Sequence, residues 1–483
     1  MKKFIIGIMA VAVASAIICL VGRNLAFLPR WVEWESGTYY SRCGEYEISL
    51  DKKTVRVLRD DAVIWTSPEG VKVQEALSWD IDKDSEDELI LLCWKKGRYG
   101  RHKPFWVEED EKEWSQHIFV YEYGEGEVRP KWMSSYIGLD VAYMTAGSGE
   151  DRTPGQSEQT NHLWLTDPEG KISCWTWDFW GFTREETEVS FVVFGDNLIH
   201  EPIYRYGLNQ EGSFAFLYDN FRDVIARSDV AVINQETPFT DNPALYGGYP
   251  RFGTPVQVGQ ALADAGFDVV TCATNHALDR GAAGIDYTKA FLEEQGVICL
   301  GIQAKEEKGD TPYTVIKRNG IRMAMLNYTY GTNGIQAPPE YPHMVRLLED
   351  EEKVREDIEK AREEADFVIV FAHWGTEYAE QTDAYQQKWA QLFLESGVDV
   401  VVGTHPHVLQ PCEVLRDEQG HEMLVYYSIG NFISAQREET CVKGGMAEFT
   451  ISLTDRGYRV TEYGLQPLVI TRREGGRYTV DFE

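Results

Sequence analysis

The sequence predicts an α/β domain, a sheet covered by helices, preceded by an all-β propeller-like domain and an N-terminal membrane anchor. Three observations predict this order. An uncharged apolar run fills residues 4–21, short segments rich in aromatic and β-branched residues follow over 30–185, and buried strands alternate with amphipathic helices from residue 188 onwards. We therefore place domain boundaries at 1–24, 25–187 and 188–483.

The composition restricts the partners of this protein. The 483 residues are 43% hydrophobic and 12% aromatic, which excludes a mostly disordered chain. Lys and Arg total 47 against 78 Asp and Glu, and the net charge of -31 repels nucleic acid, so we expect no nucleic-acid partner. The 8 cysteines contain no C-x-x-C pair, which disfavours a zinc ribbon, a thioredoxin motif and a disulfide-stapled mini-fold.

The N-terminal segment predicts the location of the protein. Lys2 and Lys3 precede the uncharged run, which at about 1.5 Å per residue is about 27 Å long, enough to cross a bilayer. Cleavage as a signal peptide after Ala16 is the alternative, although apolar residues continue beyond that position. Because the lysines would stay in the cytoplasm, we expect a single-pass membrane protein with its bulk outside the cell.

The all-β region consists of short strands separated by turns. Similar units of a strand, a turn and a Trp-containing strand recur, for example at 118–133 and 163–177. These units predict propeller-like repeats, too few for a closed ring, or a small β-sandwich. The predicted strands are 46–50, 54–58, 62–66, 88–93, 117–123 and 162–166.

An acidic loop lies inside this region, at residues 80–88. Carboxylates at alternate positions of a loop can surround one calcium ion, because hard cations take several oxygen ligands. The loop lacks the glycine and the helical flanks of an EF-hand. We therefore keep two interpretations open: a solvated acidic turn, or a calcium site formed by Asp80, Asp82, Asp84 and Asp87.

The first part of the α/β region begins with apolar strands at 189–194 and 229–233. Thr254 is expected to cap a helix with Pro255 at its first position, and Gly266 is expected to end that helix. The strand 267–271, a helix at 283–295 and the strand 297–300 follow. Asn319-Gly320 is a strong hairpin signal between strands 313–317 and 321–327.

The second part continues the alternation. The charged segment 349–364 carries an apolar stripe and is predicted to be a surface helix without a function of its own. Strands 367–371 and 398–402 flank a helix whose aromatic residues belong to the core and which ends at Gly397. Such alternation predicts a sheet with helices on both faces.

Polar residues follow the buried strands of this region. They include Asp196, Glu236, Asn275, His276 and His373, with His405 and His407 after the last strand. Ligands of such sheets bind at the carboxyl ends of the strands, so these loops should meet at one rim. Imidazole and carboxylate together suit zinc, manganese or iron. We expect His343 and His421 to be structural, and His200 could be either.

Six ordered motifs resemble those of the CapA family of capsule or poly-γ-glutamate synthesis proteins. The resemblance covers about residues 188–440. The motifs are Gly195-Asp196, Asn234-x-Glu236-Thr237-Pro238, Ala273-Thr274-Asn275-His276-Ala277-Leu278-Asp279-x-Gly281, Ala372-His373-Trp374-Gly375-x-Glu377-Tyr378, Gly403-Thr404-His405-Pro406-His407-Val408-Leu409-Gln410-Pro411 and Tyr427-Ser428-Ile429-Gly430-Asn431-Phe432.

That family is similar to calcineurin-like metallophosphoesterases, and the resemblance implies a site for one or two divalent metal ions. The chain departs from the pattern at two positions: Leu198 replaces a ligating histidine, and Glu236 stands where an aspartate would bridge two metals. The implied catalytic residues are His276, as general acid, and Asp279. The implied metal ligands are Asp196, Glu236, Asn275, His373, His405 and His407.

Three functions remain open at this point. The first is a metal-dependent hydrolase of an extracellular phosphoester or polymer linkage. The second is a non-catalytic scaffold that holds an anionic polymer such as poly-γ-glutamate, alongside polymer-synthase membrane subunits. The third is a cell-surface binding protein whose β-domain recognises the ligand. We predict a role in capsule or surface-polymer biosynthesis, and the absence of a P-loop or a Gly-x-Ser-x-Gly elbow disfavours nucleotide-driven or serine chemistry.

Overall fold

The structure is a computed structural model that describes residues 28–41, 45–99, 103, 105, 107–124, 126–148, 161–178, 180–185, 187–307, 309–310 and 312–483. The chain separates into two compact units. The first, which we call the β-unit, comprises Met1–Glu186 and Thr454–Arg456, and the second, the α/β-unit, comprises Thr187–Leu453 and Gly457–Glu483.

In its described residues, the β-unit contains three four-stranded antiparallel sheets, each with its strands in sequence order, as in propeller blades. The first sheet is β1 (Gly37–Tyr40), β2 (Glu47–Asp51), β3 (Thr54–Arg59) and β4 (Ala62–Thr66). The second is β5 (Lys72–Trp79), β6 (Glu88–Lys96), β7 (Trp114–Tyr123) and β8 (Val128–Met133). The third is β9 (Tyr143–Ser148), β10 (Asn161–Thr166), β11 (Ile172–Asp178) and β12 (Gly181–Glu185).

The middle sheet of the β-unit is buried on both faces. Leu89 and Leu91 of β6 pack with Val55 of the first sheet, while Ile90 of the same strand packs with Leu163 of the third. Successive residues of a strand point to opposite faces, so β6 reads as a continuous apolar run rather than an alternating one.

The α/β-unit is built on two mixed sheets. The strands are β13 (Glu188–Asn197), β14 (Val230–Gln235), β15 (Phe239–Thr240), β16 (Thr254–Pro255), β17 (Val269–Thr271), β18 (Ile298–Leu300), β19 (Tyr313–Arg318), β20 (Ile321–Thr329), β21 (Phe367–His373), β22 (Val400–Thr404), β23 (Cys412–Arg416), β24 (Glu422–Tyr426), β25 (Asn431–Ile433), β26 (Lys443–Thr454), β27 (Gly457–Arg472) and β28 (Tyr478–Phe482). The first sheet has the order β18-β17-β14-β13-β26-β27-β28, with β25 beside β13, and the second has the order β19-β20-β21-β22-β24-β23. The helices are α1 (Glu201–Asn209), α2 (Arg222–Arg227), α3 (Val256–Ala265), α4 (Gly281–Glu294), α5 (Glu351–Glu364) and α6 (Ala384–Glu395).

The two sheets face each other, which corrects the predicted single sheet with helices on both faces. Phe191 and Val193 of β13 pack with Ile369 of β21 in the layer between the sheets. Helices cover the outer faces, α1 to α4 on the first sheet and α5 with α6 on the second. A strand buried on both faces has the same apolar pattern whether its second neighbour is a helix or another sheet, so the sequence pattern could not decide between them.

The predicted hairpin turn and the predicted helix end are confirmed, whereas the predicted helix cap is not. Asn319 and Gly320 both have positive φ, at 47° and 84°, in the hairpin between β19 and β20. Gly266 ends α3 in the left-handed conformation, at φ 98°. The predicted cap Thr254 is wrong, because Thr254 pairs with Phe239 in a short parallel bridge and α3 starts one residue later, after Pro255.

The prediction of a single-pass membrane protein is contradicted. A search of the described residues finds no helix with the length and apolar character that a membrane span requires. The segment on which the prediction rested, residues 1–24, lies outside the described residues.

Candidate functional site

The predicted rim residues of the α/β-unit lie together at the carboxyl ends of parallel strands from both sheets. In the first sheet, Asp196 of β13 is paired in register with Asn234 of β14. In the second, His373 ends β21 opposite Thr404 of β22. Adjacent parallel strands end at the same edge, so residues far apart in sequence share one buried site.

A close approach of two loops completes this edge. A Cβ atom on Gly195 would lie 2.0 Å from the carbonyl oxygen of Gly430, so glycine is required there. That approach places Asn431 of β25 opposite Asp196. The same side of the site holds the loop after β22, where His405 and His407 take left-handed φ values of 97° and 60°. This backbone, uncommon for non-glycine residues, turns both imidazoles into the site around Pro406.

Glu236 is the buried carboxylate at the centre of the site. It is 1% exposed, and neither of its carboxylate oxygens has a hydrogen-bond partner among the described residues. Ligand atoms of Glu236, His405 and His407 all lie within 4.8 Å of one another. Oε1 of Glu236 is 3.8 Å from Nε2 of His407 and 3.9 Å from Nε2 of His373. These distances are too long for hydrogen bonds and leave room for a cation.

Asp196 holds the parts of the site in position. Its Oδ1 accepts a hydrogen bond from Nδ2 of Asn234 at 2.8 Å. Its Oδ2 accepts from the backbone N–H of His405 at 3.3 Å and lies 3.0 Å from Nδ1 of His407. Nδ1 of His407 is also 3.1 Å from Oδ1 of Asn431. Because Nδ1 of His407 makes these contacts, Nε2 is the nitrogen of this ring that faces Glu236.

His373 and Asn275 form the second wall of the site. His373 is fully buried, and its Nδ1 contacts Oγ1 of Thr404 at 2.9 Å. Its Nε2 lies 3.0 Å from Oδ1 of Asn275. The ring of His405 packs between those of Tyr330 and His373, with centroid distances of 4.5 and 4.9 Å. Nδ1 of His405 has no hydrogen-bond partner in the described chain.

His276 is paired with a carboxylate of its own. Nδ1 of His276 lies 2.8 Å from Oδ2 of Asp279, and the same oxygen accepts the backbone N–H of Phe252 at 2.7 Å. The imidazole also packs edge-on against the Phe252 ring, with centroids 4.7 Å apart. Asp279 thus fixes the tautomer of His276, so that Nε2 is the nitrogen left for proton transfer.

Burial and neighbouring charges shift the pKa values in this site. Burial raises the pKa of the Glu236 carboxyl well above its usual range and lowers those of His373 and His405 well below theirs. Burial also disfavours the charged form of His407, but the Glu236 and Asp196 carboxylates outweigh it and raise the pKa of His407 to about 9. His373 and His405 are therefore neutral at pH 7, the form in which imidazole binds a metal ion.

Leu198 and His200, both considered in the sequence analysis, lie at the edge of the rim site. Leu198, in the position of the missing histidine, is a buried apolar residue whose N–H donates to the carbonyl of Ile433. His200 contacts the Leu198 carbonyl through Nδ1 at 3.2 Å and packs on Phe252. Burial lowers the pKa of His200 to about 4, so this histidine is a neutral neighbour of the site.

The predicted set omitted several residues that the structure places in contact with it. Among them are Asn234, Phe252, Tyr330, Thr404 and Asn431. Asn234, Thr404 and Asn431 stand inside the quoted motifs, so position next to a candidate ligand was a signal for these. Tyr330 lies after β20 and Phe252 lies between β15 and β16, and neither carried such a signal.

The residues fit a divalent metal ion. A buried carboxylate without hydrogen-bond partners and a partnerless imidazole nitrogen, beside two further histidines, form a donor set typical of zinc, manganese or iron sites. Glu236, His405 and His407 would hold the ion, with Asp196, Asn275 and His373 adjacent.

The acidic loop of the β-unit is arranged differently from the predicted calcium site. Ligand atoms of Asp80, Asp82 and Glu88 lie within 4.8 Å of one another, but Asp84 and Asp87 do not belong to this group. Instead, Oδ1 of Asp84 accepts the N–H of Glu86, and Asp87 accepts a hydrogen bond from Ser78. The ammonium of Lys131 contacts both Asp82 and Glu88 and so occupies the place a cation would take.

Two CapA proteins of Bacillus species are similar to this chain in sequence. "Capsule biosynthesis protein CapA" of Bacillus anthracis is 30% identical over 268 residues, which cover 52% of this chain and 61% of the relative. "PGA biosynthesis protein CapA" of Bacillus subtilis (strain 168) is 32% identical over 178 residues, 37% of this chain and 45% of the relative. The chain thus spans less than two thirds of the length of either relative.

Solved structures also resemble this chain. A calcineurin-like phosphoesterase, YfkN from Bacillus subtilis, is 15% identical, covers 58% of this chain and 90% of its own, and has a TM-score of 0.35. A phosphatase from Mycoplasma pneumoniae is 14% identical, with 59% and 94% coverage and a TM-score of 0.36.

The family model described as "Bacterial capsule synthesis protein PGA_cap" matches residues 190–436, about half of the chain. The match begins in β13 and ends just after Asn431, so it contains all the rim residues described above. On this match, the chain belongs to the PGA_cap family of bacterial capsule synthesis proteins.

Proposed function

We propose that the rim of the α/β-unit is a metal-dependent hydrolytic centre that acts in the biosynthesis of an anionic surface polymer. The observation that carries the proposal is Glu236, a buried carboxylate with no hydrogen-bond partner in the described chain, facing three histidines. Burying a carboxylate without hydrogen bonds is costly, and a bound cation offsets that cost.

Net charge supports the need for a cation in the site. At -31, the protein repels a polyanion or a phosphoester. A divalent metal supplies local positive charge that attracts the anionic group, and it lowers the pKa of water towards neutrality. Both proposed substrate classes, a phosphoester and an anionic polymer linkage, need this compensation.

The side chains of the rim then have separate roles in the proposed reaction. Asp196 holds the His405–His407 loop and fixes the His407 ring. Asn275 and Thr404 orient His373 from its two nitrogens. His276, fixed by Asp279, is the proton donor to the leaving group, because its Nε2 is not taken up by Asp279.

Family membership supports a contribution to capsule or poly-γ-glutamate synthesis, and polymer-synthase subunits remain the predicted partners. A non-catalytic scaffold is the second candidate. Leu198 favours it, because a ligand position of the related phosphoesterase pattern is occupied by an apolar side chain.

A comparison of two histidine variants tests the proposal. The purified full chain should hydrolyse a small activated phosphoester or the polymer only after loading with zinc, manganese or iron. His407→Ala should lose bound metal and activity together, whereas His343→Ala, which changes an exposed histidine, should lose neither. Metal binding that depends on His407 without turnover on either substrate class would favour the scaffold. Metal-independent turnover would refute the proposal.

A further inference from the structure

A second cluster of metal-ligand type lies in the β-unit, on the third sheet. Cys174 of β11 is paired in register with Glu185 of β12 on one side and with Trp164 of β10 on the other. His162 precedes Trp164 by two residues, and residues two apart in a strand share a face. His162, Cys174 and Glu185 therefore project from three adjacent strands on the same face of the sheet.

Their ligand atoms have the spacing of a coordination shell. Nε2 of His162 lies 3.6 Å from Oε2 of Glu185, and Sγ of Cys174 lies 3.6 Å from the same oxygen. All three atoms are within 4.8 Å of one another. Tetrahedral zinc with bonds of about 2.0–2.3 Å separates its ligand atoms by about 3.4–3.6 Å. The sheet thus provides nearly this arrangement without backbone movement.

The three side chains are largely shielded from solvent and differ in donor type. His162 and Cys174 are 2% and 1% exposed, while Glu185 is half-buried at the end of its strand. The set combines a thiol, an imidazole and a carboxylate, the three kinds of ligand that protein zinc sites use. An acidic cluster that only binds hard cations would lack the sulfur and nitrogen donors.

We propose that His162, Cys174 and Glu185 bind one divalent zinc-type ion, which joins β10, β11 and β12. The thiol proton is released to solvent on binding, and water at the half-buried Glu185 side supplies the fourth ligand. The site is independent of the rim and of the hydrolytic function proposed for it.

Cobalt(II) is the probe that distinguishes this site from the rim. A thiolate bound to cobalt gives a charge-transfer band in the near ultraviolet, and none of the rim side chains proposed as ligands is a cysteine. Titration of the full chain with cobalt should produce the band, and zinc should displace it. Glu236→Gln, in the rim, should leave the band unchanged.

Variants of the cluster complete the test. Cys174→Ser should abolish the band, whereas Cys412→Ser, a control on a half-buried thiol of the α/β-unit, should retain it. Glu185→Gln, at a half-buried position where folding is least at risk, should weaken cobalt binding by about tenfold or more. The proposal is overturned if the full chain gives no band, if Cys174→Ser retains it, or if Glu185→Gln binds cobalt as tightly as the unmodified chain.

Discussion

Glu236 of the α/β-unit and Glu88 of the β-unit are both buried carboxylates in clusters of potential metal ligands, yet their surroundings differ. Glu88 contacts the Lys131 ammonium and accepts the N–H of Ile81 at 3.0 Å. Glu236 has no hydrogen-bond partner among the described residues. A group of carboxylates is therefore a strong metal-site candidate where the protein supplies no hydrogen bond to the buried carboxylate.

The largest expected effect separates metal binding from catalysis at the rim of the α/β-unit. His276→Ala should lower turnover by about 100- to 10,000-fold, because a general acid is lost, while bound metal stays constant. Steady-state kinetics and metal analysis of the same preparation measure both quantities. Loss of metal in parallel with turnover would place His276 among the ligands instead.

Replacing Lys131 should leave the acidic loop of the β-unit with carboxylates that lack a cationic partner. Lys131→Met leaves Asp82 and Glu88 without their cation and should reduce stability by about 3 kcal/mol. Calcium at millimolar concentration should restore part of the melting temperature in this variant and change the unmodified chain much less. Lys83→Met, at an exposed lysine of the same loop, is the control. An equal response to calcium in all three proteins would refute the claim that Lys131 takes the place of a cation in this loop.

Glu75 shows a third way to accommodate a buried carboxyl group, which is protonation. Burial raises its pKa to about 7, although the Met144 N–H, 2.6 Å from Oε2, acts in the opposite direction. The folded state therefore holds a proton that the unfolded state releases near pH 4.5, so stability is full below that pH and is lost as pH rises towards 7.

The resulting prediction concerns stability as a function of pH. Glu75→Gln should remove a loss of about 2 kcal/mol between pH 4.5 and 7, since the amide oxygen can still accept the Met144 N–H. Thermal or urea unfolding followed across this pH range measures it. Identical pH profiles for the variant and the unmodified chain would show that Glu75 does not titrate in this way.

The smallest expected effect is on a residue that positions the acid. Asp279→Asn keeps an oxygen that can accept from both His276 and Phe252 but removes the negative charge, so kcat should fall by about tenfold at constant KM and metal content. Asp279→Glu should restore part of the loss. A change in KM or metal content without a change in kcat would assign Asp279 a different role.

Much of the α/β-unit could be predicted from local sequence because its strands and turns carry strong local signals. Phe367–His373 is uniformly apolar until its final histidine, and Asn319-Gly320 permits the left-handed turn. What local sequence could not supply was long-range pairing. Whether Phe191 faces a helix or a second sheet depends on Ile369, which lies far along the chain.

The same limit applies to the sites. Candidate rim ligands could be named from the motifs that end the strands, but the absence of a partner for Glu236 depends on contacts that no spacing reveals. In the acidic loop, the deciding residue is Lys131, 43 positions from Glu88. The register of Cys174 with Glu185 likewise requires the sheet before their proximity to His162 is visible.

Metal analysis of matched glutamate variants tests the central claim most directly. Chains loaded with manganese or zinc and freed of excess metal should hold about one ion fewer in Glu236→Gln than in the unmodified protein, because a ligand of the ion is lost. Glu88→Gln, at an equally buried glutamate that Lys131 compensates, should hold as much metal as the unmodified protein. Equal metal content in Glu236→Gln and the unmodified protein would contradict the claim that Glu236, a buried carboxylate without a hydrogen-bond partner among the described residues, defines the metal site.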